Sequence, residues 1–165
     1  MIRLIVAAGI VIAANMPASA EGLRQQPVLR TYQPVRIALP GFDAAGPSEV
    51  EQAKTISHII ASDLKQSSAF APINPAALVE KSAGIDEVPK FADWRAINAE
   101  ELIVGRVTRQ PDGRIKVEFR LWDPFSGYQL AGQQYTGIPD DLTRIAHMIS
   151  ADIHERITGK KRTFD

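Results

Sequence analysis

The chain has 165 residues, with 19 Lys and Arg, 19 Asp and Glu, three His and no Cys. That length fits one ordinary domain, and a hydrophobic content of 45% is enough to build a core. Balanced charge argues against a dedicated nucleic-acid binder, and the missing cysteines exclude disulfides, Cys-ligated zinc, thiol catalysis and a lipidated N-terminal Cys.

Met1-Ile2-Arg3 gives a short basic start, and Leu4 to Ala14 is an unbroken apolar or small run of 11 residues. Asn15-Met16-Pro17 breaks it, and Ala18-Ser19-Ala20 places small residues at −3 and −1 before Glu21. This is the layout of a secretory signal peptide over residues 1–20, cleaved between Ala20 and Glu21. A bilayer-spanning helix needs about 20 apolar residues, so no direct membrane insertion is expected. An exported chain without Cys or an anchor points to a bacterial periplasm. Cleavage leaves 18 basic and 19 acidic groups in residues 21–165. Arg24, Arg30 and Arg36 make the leading segment basic. Arg156, Lys160, Lys161 and Arg162 do the same at the end, and that tail reads as a solvated flank.

Residues 21–34 hold two prolines and no sustained period, and so read as an extended arm. Val35 to Leu39 alternates as a first strand and stops at Pro40-Gly41. Gly46-Pro47-Ser48 opens a helix in which Ser48 and Glu51 stand in capping-box relation. Val50, Ala53, Ile56, Ile60 and Leu64 share one face, and His58 falls on the polar one. Ala69 to Ile73 predicts an edge strand, because Pro72 has no N–H to donate. Asn74-Pro75 and Lys90 to Ile97 each fit a short helix.

Leu102, Val104 and Val107 mark a strand that ends at the turn Gln110-Pro111-Asp112-Gly113. Ile115, Val117, Phe119 and Leu121 alternate with Lys116, Glu118, Arg120 and Trp122 as a half-buried strand. Asp123 to Gly127 turns the chain again, and Tyr128 to Thr136 completes a three-strand meander. Pro139-Asp140-Asp141 starts a last helix with negative charge at its positive end. Leu142, Ile145, Ile149, Ile153 and Ile157 form its stripe, and Gly159 ends it. The expected fold is α+β: a mixed sheet of about five strands with two main amphipathic helices packed on it.

Little in the chain points to chemistry. His147 and His154 are seven apart, too far for an i, i+4 zinc pair, and His58 has no evident partner. Ser57, Ser62, Asp63, Asp93 and Asp123 could complete a triad on paper, but no G-x-S-x-G elbow is present. Neither G-x-G-x-x-G nor a Walker sequence occurs, so no cofactor and no metal are expected. Trp94, Phe119, Trp122, Phe125, Tyr128 and Tyr135 cluster around the meander and read as core and cross-strand pairs.

The segment Ala61-Ser62-Asp63-Leu64-Lys65-Gln66-Ser67, followed by Phe70-Ala71-Pro72-Ile73, resembles the N-terminal domain of the TolB family. Trp94, Val104-Gly105-Arg106-Val107-Thr108 and Pro111-Asp112-Gly113 are similar to its central strands and hairpin. Phe119-Arg120-Leu121-Trp122-Asp123 and Leu130 to Gln134 continue the likeness, and His147, Ala151-Asp152 and Ile157-Thr158-Gly159 close it. The resemblance runs over nearly all of residues 34–165. It implies a non-enzymatic periplasmic part of the Tol–Pal envelope system, with roles in outer-membrane integrity, cell division and colicin import. It also implies that the mature arm binds the C-terminal domain of TolA. By position the contact residues here are Glu21, Gly22, Leu23, Arg24, Gln25, Gln26, Val28, Leu29 and Arg30, with Pro27 removing one backbone donor among them. In the family a propeller that binds Pal follows this domain, and no blade repeat is present up to Asp165. Pal is therefore a partner only where a propeller is present. The domain expectation is a signal peptide at 1–20, an arm at 21–34 and a TolB-type domain at 35–165. A small exported hydrolase using His147, or a truncated fragment without an independent role, are the alternatives.

Overall fold

A computed structural model describes residues 33–78 and 84–165. Its strands are β1 (Val35–Ala38), β2 (Phe42–Ala44), β3 (Phe70–Pro72), β4 (Glu101–Arg109), β5 (Ile115–Asp123) and β6 (Tyr128–Gly137). Its helices are α1 (Val50–Gln66), α2 (Phe91–Ala96) and α3 (Leu142–Thr158), with 3-10 turns at Pro47–Glu49, Pro75–Ala77 and Pro139–Asp141. The strands form one mixed sheet in the order β3-β1-β4-β5-β6, and β2 pairs with β4 beyond the end of β1. β1 lies parallel to β3 and β4, β2 lies parallel to β4, and the meander is antiparallel throughout. The α+β class and the two long helices agree with the sequence reading. β3 is the edge strand that Pro72 requires.

β2 is the strand that periodicity did not reveal. Three residues are too few to show a period, and pairing holds them instead: Phe42, Asp43 and Ala44 register with Gly105, Arg106 and Val107. The Phe42 N–H also donates to Ser57 Oγ at 2.8 Å, which pins β2 to α1. Gly105 makes room for this arrangement, since a Cβ there would lie 2.4 Å from the Phe42 ring.

α1 and α3 cover one face of the sheet. Ala53, Ile56, Ile60 and Leu64 meet Leu142, Ile145, Ile149 and Ile153 over Ile103, Val107, Ile115, Val117, Phe119 and Leu121. Val50, expected on the buried stripe, is 39% exposed at the start of α1, where it lines a groove beside β2. The Ser48–Glu51 capping box does not form. Ser48 Oγ donates to Glu49 instead, Glu49 is buried, and Glu51 pairs with Lys54 in solvent. Gly159 ends α3 in the left-handed region, as its position suggested.

The reverse face carries a second, smaller core. Ala38, Ile85, Trp94, Ala99, Leu102, Val104 and Trp122 pack together beneath α2. Trp122 is thus buried, whereas strict alternation put it on the polar side of β5. A bulge at Leu121/Trp122 shifts the register against β6 at that point. Trp94 and Phe119 are buried as expected, but Phe125 and Tyr128 are 59% and 73% exposed on the β5–β6 turn and are not core residues.

Gly105→Ala is expected to destabilise the fold by about 1–3 kcal/mol, since the added methyl must displace the Phe42 ring. Urea unfolding checks this. In a Phe42→Ala background the added cost of Gly105→Ala should vanish, which makes the pair strongly non-additive.

Candidate functional site

The residues assigned to partner binding, Glu21, Gly22, Leu23, Arg24, Gln25, Gln26, Val28, Leu29 and Arg30, lie outside the described residues, and so does the boundary at Ala20/Glu21. What is described is the point where the chain joins the sheet. The Val35 N–H donates to the Ala69 carbonyl at 2.9 Å, which ties the first residue of β1 to the edge strand. Arg36 follows and is fully engaged. Its Nε and guanidinium donate to the Asn98 and Ile97 carbonyls at 3.0 and 3.1 Å. Its backbone N–H donates to Glu100 Oε2 at 2.7 Å. Of the three arginines that made the leading segment basic, this one is therefore a clamp on the turn after α2.

The catalytic candidates do not converge. His147 Nδ1 lies 2.8 Å from Asp63 Oδ2, a bridge between α3 and α1 with the Asp63 side chain almost wholly buried. Ser57 Oγ is held by the Phe42 N–H and donates to the Ala53 carbonyl at 2.7 Å. Asp123 caps its own turn by accepting from the Phe125 and Ser126 N–H groups and the Ser126 hydroxyl. Among the described residues no serine hydroxyl bonds to His147. His58 is exposed on α1, and His154 is buried near the end of α3. No group of three His, Asp or Glu among the described residues could hold a metal ion. None of the described helices is long and apolar enough to cross a membrane.

Electrostatics single out the end of the sheet where β4 begins. Burial pushes Asp123 upward, but the Ser126 hydroxyl and the Ser126 and Phe125 N–H groups more than offset it and hold the carboxyl below its ordinary value. Its negative charge faces Glu101, which is pushed up to about 8 by burial first, then by Asp123 and Glu100. Glu101 Oε2 is buried without a hydrogen-bond partner. On the polar face of the meander Arg106 pairs with Asp86 and, at 3.1 Å, with Glu118, while Lys116 also reaches Glu118. Asp86 is the first-ranking reason that the Arg106 guanidinium is held above its ordinary value.

The anchor of the C-terminal tail is the feature that the sequence did not reveal. Arg156, Lys160, Lys161 and Arg162 are exposed, in agreement with a solvated flank, but Phe164 beyond them is only 8% exposed. Its ring meets the His154 ring edge-on at 6.1 Å, and the Arg162 guanidinium lies over it at 5.3 Å. A single aromatic after three cations was the available signal. A separate groove of about 550 Å³ runs between β2 and α1, with Leu39, Phe42, Ala44, Val50 and Ala61 on its walls.

Two measurements test these assignments. His147→Ala leaves the buried Asp63 carboxylate without its partner and should cost about 1–3 kcal/mol in urea unfolding. Glu101 has a folded-state value raised above the ordinary 4.5, so its contribution is fully present below about 4.5 and is lost as pH rises through about 8. Glu101→Gln should therefore match the parent protein in urea midpoint near pH 4 and exceed it near pH 9.

Residues 30–130 match the TolB amino-terminal domain family. The structure is similar to TolB from Acinetobacter baumannii, with a TM-score of 0.66 and 21% identity over 79% of this chain and 30% of that one. It is also similar to hypothetical protein CT253 from Chlamydia trachomatis, with a TM-score of 0.54 and 12% identity over 78% of this chain and 99% of that one. The LpoB C-terminal domain from Salmonella enterica gives a TM-score of 0.50 at 9% identity, over 63% of this chain and 82% of that one. At these identities the likenesses to solved structures show the fold, and the chain covers less than a third of the Acinetobacter protein. The family match spans more than half of the sequence and agrees with that fold, and the chain belongs to the TolB amino-terminal domain family.

Proposed function

We propose that the protein is a non-enzymatic adaptor of the Tol–Pal envelope system, acting in the periplasm after removal of residues 1–20. In this reading residues 21–34 are an arm, and residues 35–165 are the domain that carries it. The arm segment Glu21 to Arg30 binds the C-terminal domain of TolA, and through it the protein contributes to outer-membrane integrity, cell division and colicin import. The observation that carries the reading is the family match over residues 30–130. Two features support it. The candidate catalytic side chains are occupied with structural bonds between elements, His147 with Asp63 and Ser57 with Phe42. The charges near the start of the domain also divide cleanly. Arg36 is bonded to three backbone or carboxylate acceptors, so Arg24 and Arg30 supply the positive charge of the arm. Long-range attraction between those cations and an acidic partner surface speeds association and weakens with salt. Pal is a partner only where a propeller accompanies the domain.

Isothermal titration of the protein lacking residues 1–20 with the C-terminal domain of TolA should give saturable binding. The same protein lacking residues 21–33 should show none. Equal binding by both forms, or binding by neither, would overturn the assignment of the arm.

A further inference from the structure

The C-terminal strap encloses a site that the adaptor reading does not use. Gly159 turns the chain out of α3 in the left-handed region, and the next residues fold back over the end of the helix. Thr158 Oγ1 donates to the His154 carbonyl at 2.7 Å and accepts the Lys160 N–H at 3.1 Å. The Lys160 carbonyl accepts from His154 Nδ1 at 2.9 Å, which makes Nδ1 the protonated ring nitrogen. The His154 ring is itself held edge-on by Phe70 and Phe164. The strap is therefore fixed at both ends, by the Thr158–Lys160 turn and by the buried Phe164 ring.

Between those anchors stand Lys160, Lys161 and Arg162. With Ser67, His154 and Thr158 they line a cavity of about 430 Å³, which is within the range of small-molecule sites. No acidic side chain lines it. No carboxylate among the described residues pairs with any of the three cations. The ends of α1 and α3 place their negative dipole ends nearby, each worth about half a charge, and Arg162 also borders a second groove with Asp140 and Asp165, so the positive excess rests first on Lys160 and Lys161. Hydroxyls at Ser67 and Thr158 add neutral polar groups to the cavity wall. Arg162 is oriented by its contact with the Phe164 ring, and a guanidinium fork of this kind matches the oxygens of a phosphate.

We propose that the strap from Thr158 to Phe164, together with Ser67, forms a binding site for a phosphate-bearing ligand. The cations are numerous enough for a dianion, none pairs with a carboxylate among the described residues, and the strap that carries them is anchored by the buried Phe164 ring. This site is separate from the TolA arm and stands or falls independently of it.

Titration of the purified protein with inorganic phosphate, followed through backbone amide chemical shifts, should give saturable changes confined to residues 67–69 and 158–162. Joint replacement Lys160→Gln, Lys161→Gln and Arg162→Gln should weaken binding by about tenfold or more. Phe164→Ala keeps every charge, frees the strap and should weaken binding by about threefold. Vesicles of phosphatidylglycerol, set against phosphatidylcholine, separate the two sources of phosphate. Cosedimentation with the first alone, lost in the triple variant, identifies a lipid headgroup. Phosphate-induced shifts without cosedimentation identify a soluble phosphate compound. Shifts that never saturate, or a triple variant that binds like the parent, overturn the proposal. A folded Phe164→Ala protein that binds like the parent also overturns it, because diffuse charge attraction would then suffice.

Discussion

β4 is flanked by hydrogen-bonded strands on both edges and covered by packed side chains on both faces, and the other elements take their positions from it. One edge receives β1 and then β2, and the other receives β5 along its whole length. Ile103 and Val107 point into the larger core beneath α1 and α3, while Leu102 and Val104 point into the smaller one beneath α2. A strand buried on both faces must be apolar in succession rather than in alternation, and Leu102-Ile103-Val104 is such a run. Gly105 interrupts it where the Phe42 ring lies against the backbone. The same glycine therefore lets the Phe42 side chain of β2 lie against β4.

Legibility in the sequence followed how many residues shared a period. α1, α3 and β5 each repeat their pattern over several turns or residue pairs, and all three lie where the pattern placed them. β2 has three residues and no pattern, and what holds it is a cross-sheet register together with the Ser57 bond. Trp122 broke the alternation of β5 because the reverse face has its own core, and a one-sided sheet would have left that position wet. Ser48 and Glu51 had capping-box spacing, but the 3-10 turn at Pro47–Glu49 moves the first helical turn and brings Glu49 inward instead. Spacing names the residues of a cap and says nothing of the turn that precedes it. The candidate binding segment was legible only through family likeness, since an extended arm has no period to read.

Charge tells a parallel story. The count of 19 basic and 19 acidic groups suggests an evenly neutral surface, but burial and pairing divide the charges unequally. Arg106, Lys116, Glu118 and Asp86 neutralise one another across the polar face of the meander. Arg109 lies 3.6 Å from the buried Glu49, and Arg36 is clamped beside Glu100. Burial, followed by the charges of Asp123 and Glu100, pushes Glu101 up to about 8. Once these groups have found partners, the cations left without a carboxylate partner among the described residues include the run at 160–162.

The position of that run follows from the packing around β3. Phe70 is buried in the larger core from β3, and its ring also meets His154 at 6.0 Å. His154 meets Phe164 in turn, so the edge strand, the end of α3 and the strap share one column of aromatic contacts. Val35, the first residue of β1, is bonded to Ala69 at the same end of β3. The start of the first strand is therefore fixed to Ala69, just before β3, and the strap reaches Phe70 of β3 through His154. A strand this short is held mainly by its neighbours, and the His154 ring stands between Phe70 and the strap. His154 is therefore the side chain through which packing joins the edge strand to the strap.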